Sequence, residues 1–131
     1  MGLIIAIVFL LVFFAVAMSP KGNIQMGAKK RQMKKIAQKI ADNFDRVGWS
    51  SWGYSTHLLN DQIQRMHRAD ISSRMELLHY SGTSHTARVR GETGNEYVID
   101  ENGCSCPDFR VRGLPCKHMY FAVAELIGDE E

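Results

Sequence analysis

Only three cysteines occur in the 131 residues, and all of them lie between positions 104 and 116. An odd count confined to one short stretch beside a histidine argues against the disulfide framework that staples small secreted domains. The sequence has no Gly-rich phosphate loop, no nucleophile elbow and no paired-carboxylate motif, so the common signatures of nucleotide-using and hydrolytic enzymes are missing. A thioredoxin-like βαβ pattern is also missing around Cys104 and Cys106, which leaves a cysteine redox protein as the lesser alternative. The length excludes two large domains and suits one small domain with appendages. Neither an enzyme nor a small-molecule substrate is expected.

Charge is unevenly placed. From Lys21 to Gly48 eight basic residues face only Asp42 and Asp45, a local charge of +6, whereas Trp49 to Glu131 carries eight basic and twelve acidic residues, or −4. The carboxy-terminal part is therefore not a strongly basic body, which weighs against an automatic assignment to DNA, whose phosphates supply most non-specific affinity.

Leu3 to Met18 is sixteen residues without a charge or a hydroxyl. As a helix it is about 24 Å long, somewhat short of a ~30 Å hydrocarbon core; Met1, Gly2 and Ser19 extend it, and local thinning of the bilayer absorbs the rest. Lysines crowd in after the run and none precedes it. That asymmetry predicts a single-pass transmembrane helix over 3–18 with the amino terminus outside and the remainder cytoplasmic, where reduced thiols persist. The rival is a cleaved signal peptide, since Ala15-Val16-Ala17 resembles a cleavage site, and it would make the remainder a secreted protein.

Residues 19–80 read as a basic juxtamembrane helical region. Ser19-Pro20-Lys21-Gly22-Asn23 is a breaker; beyond it Met33, Ile36, Ala37, Ile40, Ala41, Phe44 and Val47 recur at three- and four-residue steps, predicting an amphipathic helix. Its basic face, with Lys29, Lys30, Arg31, Lys34 and Lys35, reads first as a solvated face of a helix packed on the domain, next as a set of candidate contacts to a membrane surface, and last as a nucleic-acid contact. The aromatics of Gly48 to Ser55 are expected to plug the core. A second helix is expected from Ser55 or Thr56 to about Asp70, with Leu58, Leu59, Ile63 and Met66 on one stripe. Ile71 to Tyr80 reads as helix or strand with Met75, Leu77 and Leu78 buried. The histidines His57, His67, His79 and His85 have no ligand spacing and are expected at or near the surface.

Residues 81–131 hold the chemistry. Thr86–Arg90 and Tyr97–Asp100 are strand signals about a Gly/Asn-rich turn, leading into Cys104-Ser105-Cys106-Pro107-Asp108-Phe109 and, after nine residues, Cys116-Lys117-His118. Three thiolates and an imidazole form the Cys3His set of a closed, structural Zn2+ site with no position open for water. Alternation at a strand end puts Cys104 and Cys106 on one side, and Pro107 turns the chain away. Residues two apart on a helix diverge, so Cys116 is expected just before a helix and His118 in its first turn. That helix runs through Met119 to Ile127 and stops at Gly128.

This segment, about residues 85 to 128, resembles a SWIM zinc finger in its C-x-C and C-x-H pairs, the paired strands before them and the apolar helix after them. The resemblance implies that Cys104, Cys106, Cys116 and His118 bind one Zn2+, and that the finger binds DNA or another protein. Arg88, Arg90, Arg110, Arg112 and Lys117 are the candidate partner contacts. The whole chain is thus expected to be α+β: a transmembrane helix, an amphipathic helical segment, and a small β-hairpin plus helix zinc finger. His85 to Gly128 is small for an apolar core of its own, so the metal is expected to hold it folded.

Overall fold

A computed structural model of the chain describes residues 23–49 and 52–128. The fold is α+β. Helix α1 (Asn23–Arg46) is followed by a single turn α2 (Tyr54–His57), α3 (Asn60–Ile71), strands β1 (Glu76–Ser81), β2 (Thr86–Arg90), β3 (Glu96–Asp100) and β4 (Gly103–Cys104), and helices α4 (Pro107–Arg112) and α5 (Lys117–Gly128). The strands form one antiparallel sheet in the order β1-β2-β3-β4. Leu3–Met18 and the acidic residues 129–131 lie outside the described residues, and no helix among the described residues is long and apolar enough to cross a membrane.

The stripe expected on α1 is found in its second half, where Ala37, Ala41 and Phe44 are buried at steps of four and three. The helix closes with a Schellman cap: the Trp49 N–H donates to the Phe44 carbonyl at 3.1 Å and the Gly48 N–H to that of Asp45 at 3.0 Å. This turn delivers Trp49 into the core, and its indole N–H donates to the His85 carbonyl at 2.7 Å.

The second helix does not run unbroken from Ser55. It stops after His57, and Leu59 takes an extended conformation (φ −64°, ψ 138°) as the N-cap of α3. Leu59 is consequently 49% exposed rather than part of the stripe. The buried face of α3 is Gln62, Met66 and Ala69, with Ile63 packed beside it. His57 is also not a surface residue: it is 1% exposed, between the Phe44 and Tyr120 rings at 5.5 and 5.6 Å.

Residues 71 to 80 resolve into the end of α3 and strand β1, with Met75 buried but Leu77 and Leu78 only half-buried. A bulge between Leu77 and His79 breaks the alternation, so neither leucine is fully covered. The boundary expected between residues 80 and 81 falls inside β1, which pairs with β2 from Glu76↔Arg90 to Ser81↔Thr86. On β2 and β3, Ala87, Val89 and Ile99 face inward and are fully buried. One core joins them to Phe44, Met66, Met119, Ala122 and Val123. His85 to Gly128 therefore has more than the metal to hold it: α5 rests on α3 and α1 and also meets β2 and β4.

Candidate metal centre

The first ligand pair stands where the sheet ends. Ile99 faces Cys104 and Asp100 faces Gly103 across β3 and β4. Ser105, between the two cysteines, prolongs that ladder: its N–H donates to the Val98 carbonyl at 2.9 Å, and its hydroxyl accepts the Val98 N–H at 2.9 Å. Cys106 is extended (φ −72°, ψ 156°) and caps α4, its sulfur accepting the Phe109 N–H at 3.4 Å. One side chain is thus both ligand and helix cap, and an N–H aimed at the sulfur favours its thiolate. Gly103 has φ +130°, and a Cβ there would fall 2.0 Å from Phe109 Cζ. The Phe109 ring lies directly on Gly103, so Gly103 to Phe109 pack as one unit.

The spacer forms helix α4, with Pro107 at its first position and Gly113 (φ 68°) as its left-handed cap, the Gly113 N–H donating to the Phe109 carbonyl at 2.7 Å. Proline just inside a helix start and glycine just past its end are a legible signature, masked here by the brevity of the segment. The chain then reaches Cys116, whose carbonyl accepts the N–H groups of Met119 at 3.1 Å and Tyr120 at 3.2 Å as α5 opens. His118 is the second residue of α5, as expected. Its ring lies 4.5 Å from that of Tyr97, tilted by 39°. Gly91 comes close to both: a Cβ there would be 3.0 Å from Tyr97 Cε2 and 3.1 Å from His118 Nε2. A larger residue would press the imidazole from the side away from the cysteines.

The four expected ligands converge. Cys104, Cys106, Cys116 and His118 are all buried, and their ligand atoms lie within 4.8 Å of one another. Cys116 Sγ is 3.7 Å from His118 Nδ1, close to the ~3.6 Å edge that Zn–S and Zn–N bonds make at a tetrahedral angle. Nδ1 is therefore the imidazole nitrogen that faces the site. Taken as thiols, the three sulfurs compete for one charge. Hydrogen bonds from Cys104 and then Cys116 draw the Cys106 thiol far below its usual range, whereas Cys104 is pushed up to about 12, first by its hydrogen bond to Cys106. Cys116 is driven up by Cys104, Cys106 and burial. A bound Zn2+ would let all three ionise together, and soft donors in this number suit it.

A polar network ties the spacer to the helices. Arg65 on α3 grips Asp108 bidentately, Nε to Oδ2 at 2.8 Å and Nη2 to Oδ1 at 2.9 Å. Arg112 Nε donates to the same carboxylate at 2.9 Å, and its Nη1 donates to Gln62 Oε1 at 2.8 Å. The buried Gln62 amide donates to the Pro115 carbonyl at 2.8 Å and to the Tyr120 hydroxyl at 3.0 Å, and that hydroxyl is 2.7 Å from His57 Nδ1. Arg65 and Arg112 hold the Asp108 carboxyl at about 2. Sequence reasoning missed Gln62, Arg65, Asp108 and His57, because polar residues spread over fifty positions show no spacing that would connect them.

Most of the candidate partner contacts are already neutralised. Arg88 lies 4.0 Å from Glu96, Arg90 lies 3.0 Å from Glu76 and 3.6 Å from Glu96, and Lys117 lies 3.7 Å from Glu92. Arg112 is bound to Asp108, and only Arg110 of the five stands exposed without an acidic partner among the described residues. The candidate membrane contacts sit on the amino-terminal half of α1, where Lys29 is half-buried and Lys30, Arg31, Lys34 and Lys35 are exposed.

Comparison with protein families matches residues 88–127 to the SWIM zinc finger. Curated proteins and solved structures give no match. The matched span contains all four ligands, β3, β4, α4 and nearly all of α5. Residues 88–127 are thus similar to a SWIM zinc finger, and Cys104, Cys106, Cys116 and His118 form a Cys3His set suited to one structural Zn2+.

Proposed function

We propose that the chain is a non-catalytic module whose zinc finger binds another protein at the cytoplasmic face of a membrane, with residues 3–18 as the anchor. The observation that carries the choice of a protein over DNA is the pairing of Arg88, Arg90, Arg112 and Lys117 with acidic side chains. Cations already neutralised release few counterions from DNA. Beside them the finger exposes apolar surface, with Val111 85% and Val98 44% exposed. Four protein ligands also fill a tetrahedral zinc, which supports a structural rather than a catalytic ion. The anchor rests on the uninterrupted apolar run and the lysines that follow it.

A photo-crosslinking residue placed at Val111 in living cells tests the partner. Crosslinks to a discrete protein that vanish in the zinc-ligand variant Cys116→Ser support the proposal. Crosslinks to DNA, together with affinity whose salt slope reports several phosphate contacts, would replace it with a nucleic-acid module. Orientation is tested separately: a membrane-impermeant reagent applied to intact cells should miss residues introduced near Glu131.

A further inference from the structure

The structure separates two populations of cations. On the finger and α3, Arg65, Arg88, Arg90, Arg112 and Lys117 are each in an ion pair. Several cations of α1 are not. Among the described residues no acidic side chain pairs with Lys30, Arg31, Lys35 or Lys39, all of them exposed, and Lys34 is engaged only by the face of Tyr54, 4.9 Å from the ring centroid. No acidic residue precedes Asp42 in the helix.

These cations also work against the helix that carries them. Lys30 and Lys34, Arg31 and Lys35, and Lys35 and Lys39 are like-charge pairs four residues apart, an arrangement that destabilises a helix in isolation. At 100° per residue Arg31, Lys35 and Lys39 fall within about 80° of one another on the side opposite Ala37, Ala41 and Phe44, which face the core, whereas Lys30 and Lys34 lie on the same side as those core residues, toward the amino-terminal end of the helix. The body therefore fixes a convex row of positive charge, Arg31, Lys35 and Lys39, about 12 Å long, with no acidic partner among the described residues.

We propose that this row is a docking surface for anionic lipid headgroups. Charge complementarity requires a polyanion. The apolar run Leu3–Met18 ends five residues before α1 begins, which places the row beside a bilayer rather than a nucleic acid; this choice of occupant rests on the anchor proposed above. Each cation at such a surface gains ~1 kcal/mol. The row then lays α1 along the membrane and sets the orientation in which the finger faces the cytoplasm.

The test is lysine reactivity in the full chain, reconstituted into vesicles of phosphatidylcholine alone or with about one third phosphatidylserine, with acetylation rates read by mass spectrometry. Lys35 and Lys39 should react about fivefold more slowly on the anionic vesicles only, the factor equivalent to ~1 kcal/mol per cation. High salt, which shortens the Debye length, should restore the rate. Lys117, paired on the finger, should not change. Equal rates on both vesicles, or equal slowing of Lys117, would overturn the proposal. Slowing by duplex DNA on neutral vesicles, with none from phosphatidylserine, would assign the row to nucleic acid instead. Failure of the anchor reads out differently, as a chain that does not remain with neutral vesicles at all.

Discussion

Substituting Gly103 by alanine probes the packing that presents the first ligand pair. Two costs add. At φ +130° an L-residue is strained, by about 1–3 kcal/mol. The new methyl also meets Phe109 Cζ at 2.0 Å and Cε1 at 2.1 Å, far inside van der Waals contact, so the ring must leave, at the ~1–3 kcal/mol typical of overpacking. Gly103→Ala should therefore lose roughly 4 kcal/mol in urea unfolding at fixed free zinc. Displacing Phe109 also moves the N–H that bonds Cys106 Sγ, so a chelator should strip zinc from the variant more easily. A double-mutant cycle separates the terms. In a Phe109→Ala background the clash is gone, and Gly103→Ala should cost only the backbone share, about 1–3 kcal/mol. Equal costs in both backgrounds would show that the ring does not rest on Gly103, and would refute the packing account.

Zinc removal by chelation should expose the amides of Tyr97 to Ile99 to hydrogen exchange while those of Phe121 to Leu126 stay protected, because α5 is also held by α3 and α1; loss of both together would mean the metal alone keeps the segment folded. Replacing Asp108 by asparagine should cost about 1–3 kcal/mol by leaving Arg65 and Arg112 without their charged acceptor, measured by urea unfolding. Because the folded carboxyl titrates at about 2, below its usual 3.8, its contribution is complete above the unfolded value and disappears as pH falls from about 4 through 2; Asp108→Asn should flatten that part of the stability profile. Burial lowers His57 to about 4 from 6.5. The unfolded chain therefore takes up a proton first, and stability should fall as pH drops from about 6.5 to 4, by at most ~3 kcal/mol. His57→Gln should lose this component, while zinc release, common to both proteins, cancels in the comparison; identical slopes would place His57 in a solvated setting.

The ligand set was legible because metal chemistry limits both residue type and spacing. Cys104, Cys106, Cys116 and His118 need no tertiary knowledge to be grouped, and the strand-end and helix-start placements follow from the two-residue step within each pair. The hairpin was equally plain, its turn glycines and strand residues agreeing to within one position of β2 and β3. What escaped depended on distant partners. His57 has no local sign of burial, since its environment is made by Phe44 and Tyr120 from two other helices. Gln62 sits at a polar letter in an apolar stripe, and only the Pro115 carbonyl, the Tyr120 hydroxyl and Arg112 make it a core residue. The pairing of Arg88 and Arg90 with Glu96 and Glu76 is a matter of strand register, which fixes cross-strand neighbours only once β1 and β3 are both placed against β2.

The metal and the apolar core act on the same joint. Zinc ties the end of the sheet, through Cys104 and Cys106, to the start of α5, through Cys116 and His118. Ile99, which pairs directly with Cys104, and Met119, next to His118, are both fully buried in one core and tie the same two elements by packing. Asp108 adds a third tie, from the spacer to α3, a helix that lies outside the matched span. A finger that relied on zinc alone would need nothing from residues 23–87. Here those residues supply Phe44 from α1 and Met66 and Arg65 from α3, and the helix that presents Phe44 also carries the cationic row. If the row binds a surface as proposed, the path from it to the finger runs along a continuous helix to Phe44 and through the ring contact of Phe44 with Tyr120 to the first turn of α5, where His118 sits two residues away. The orientation of the finger would then follow that of α1.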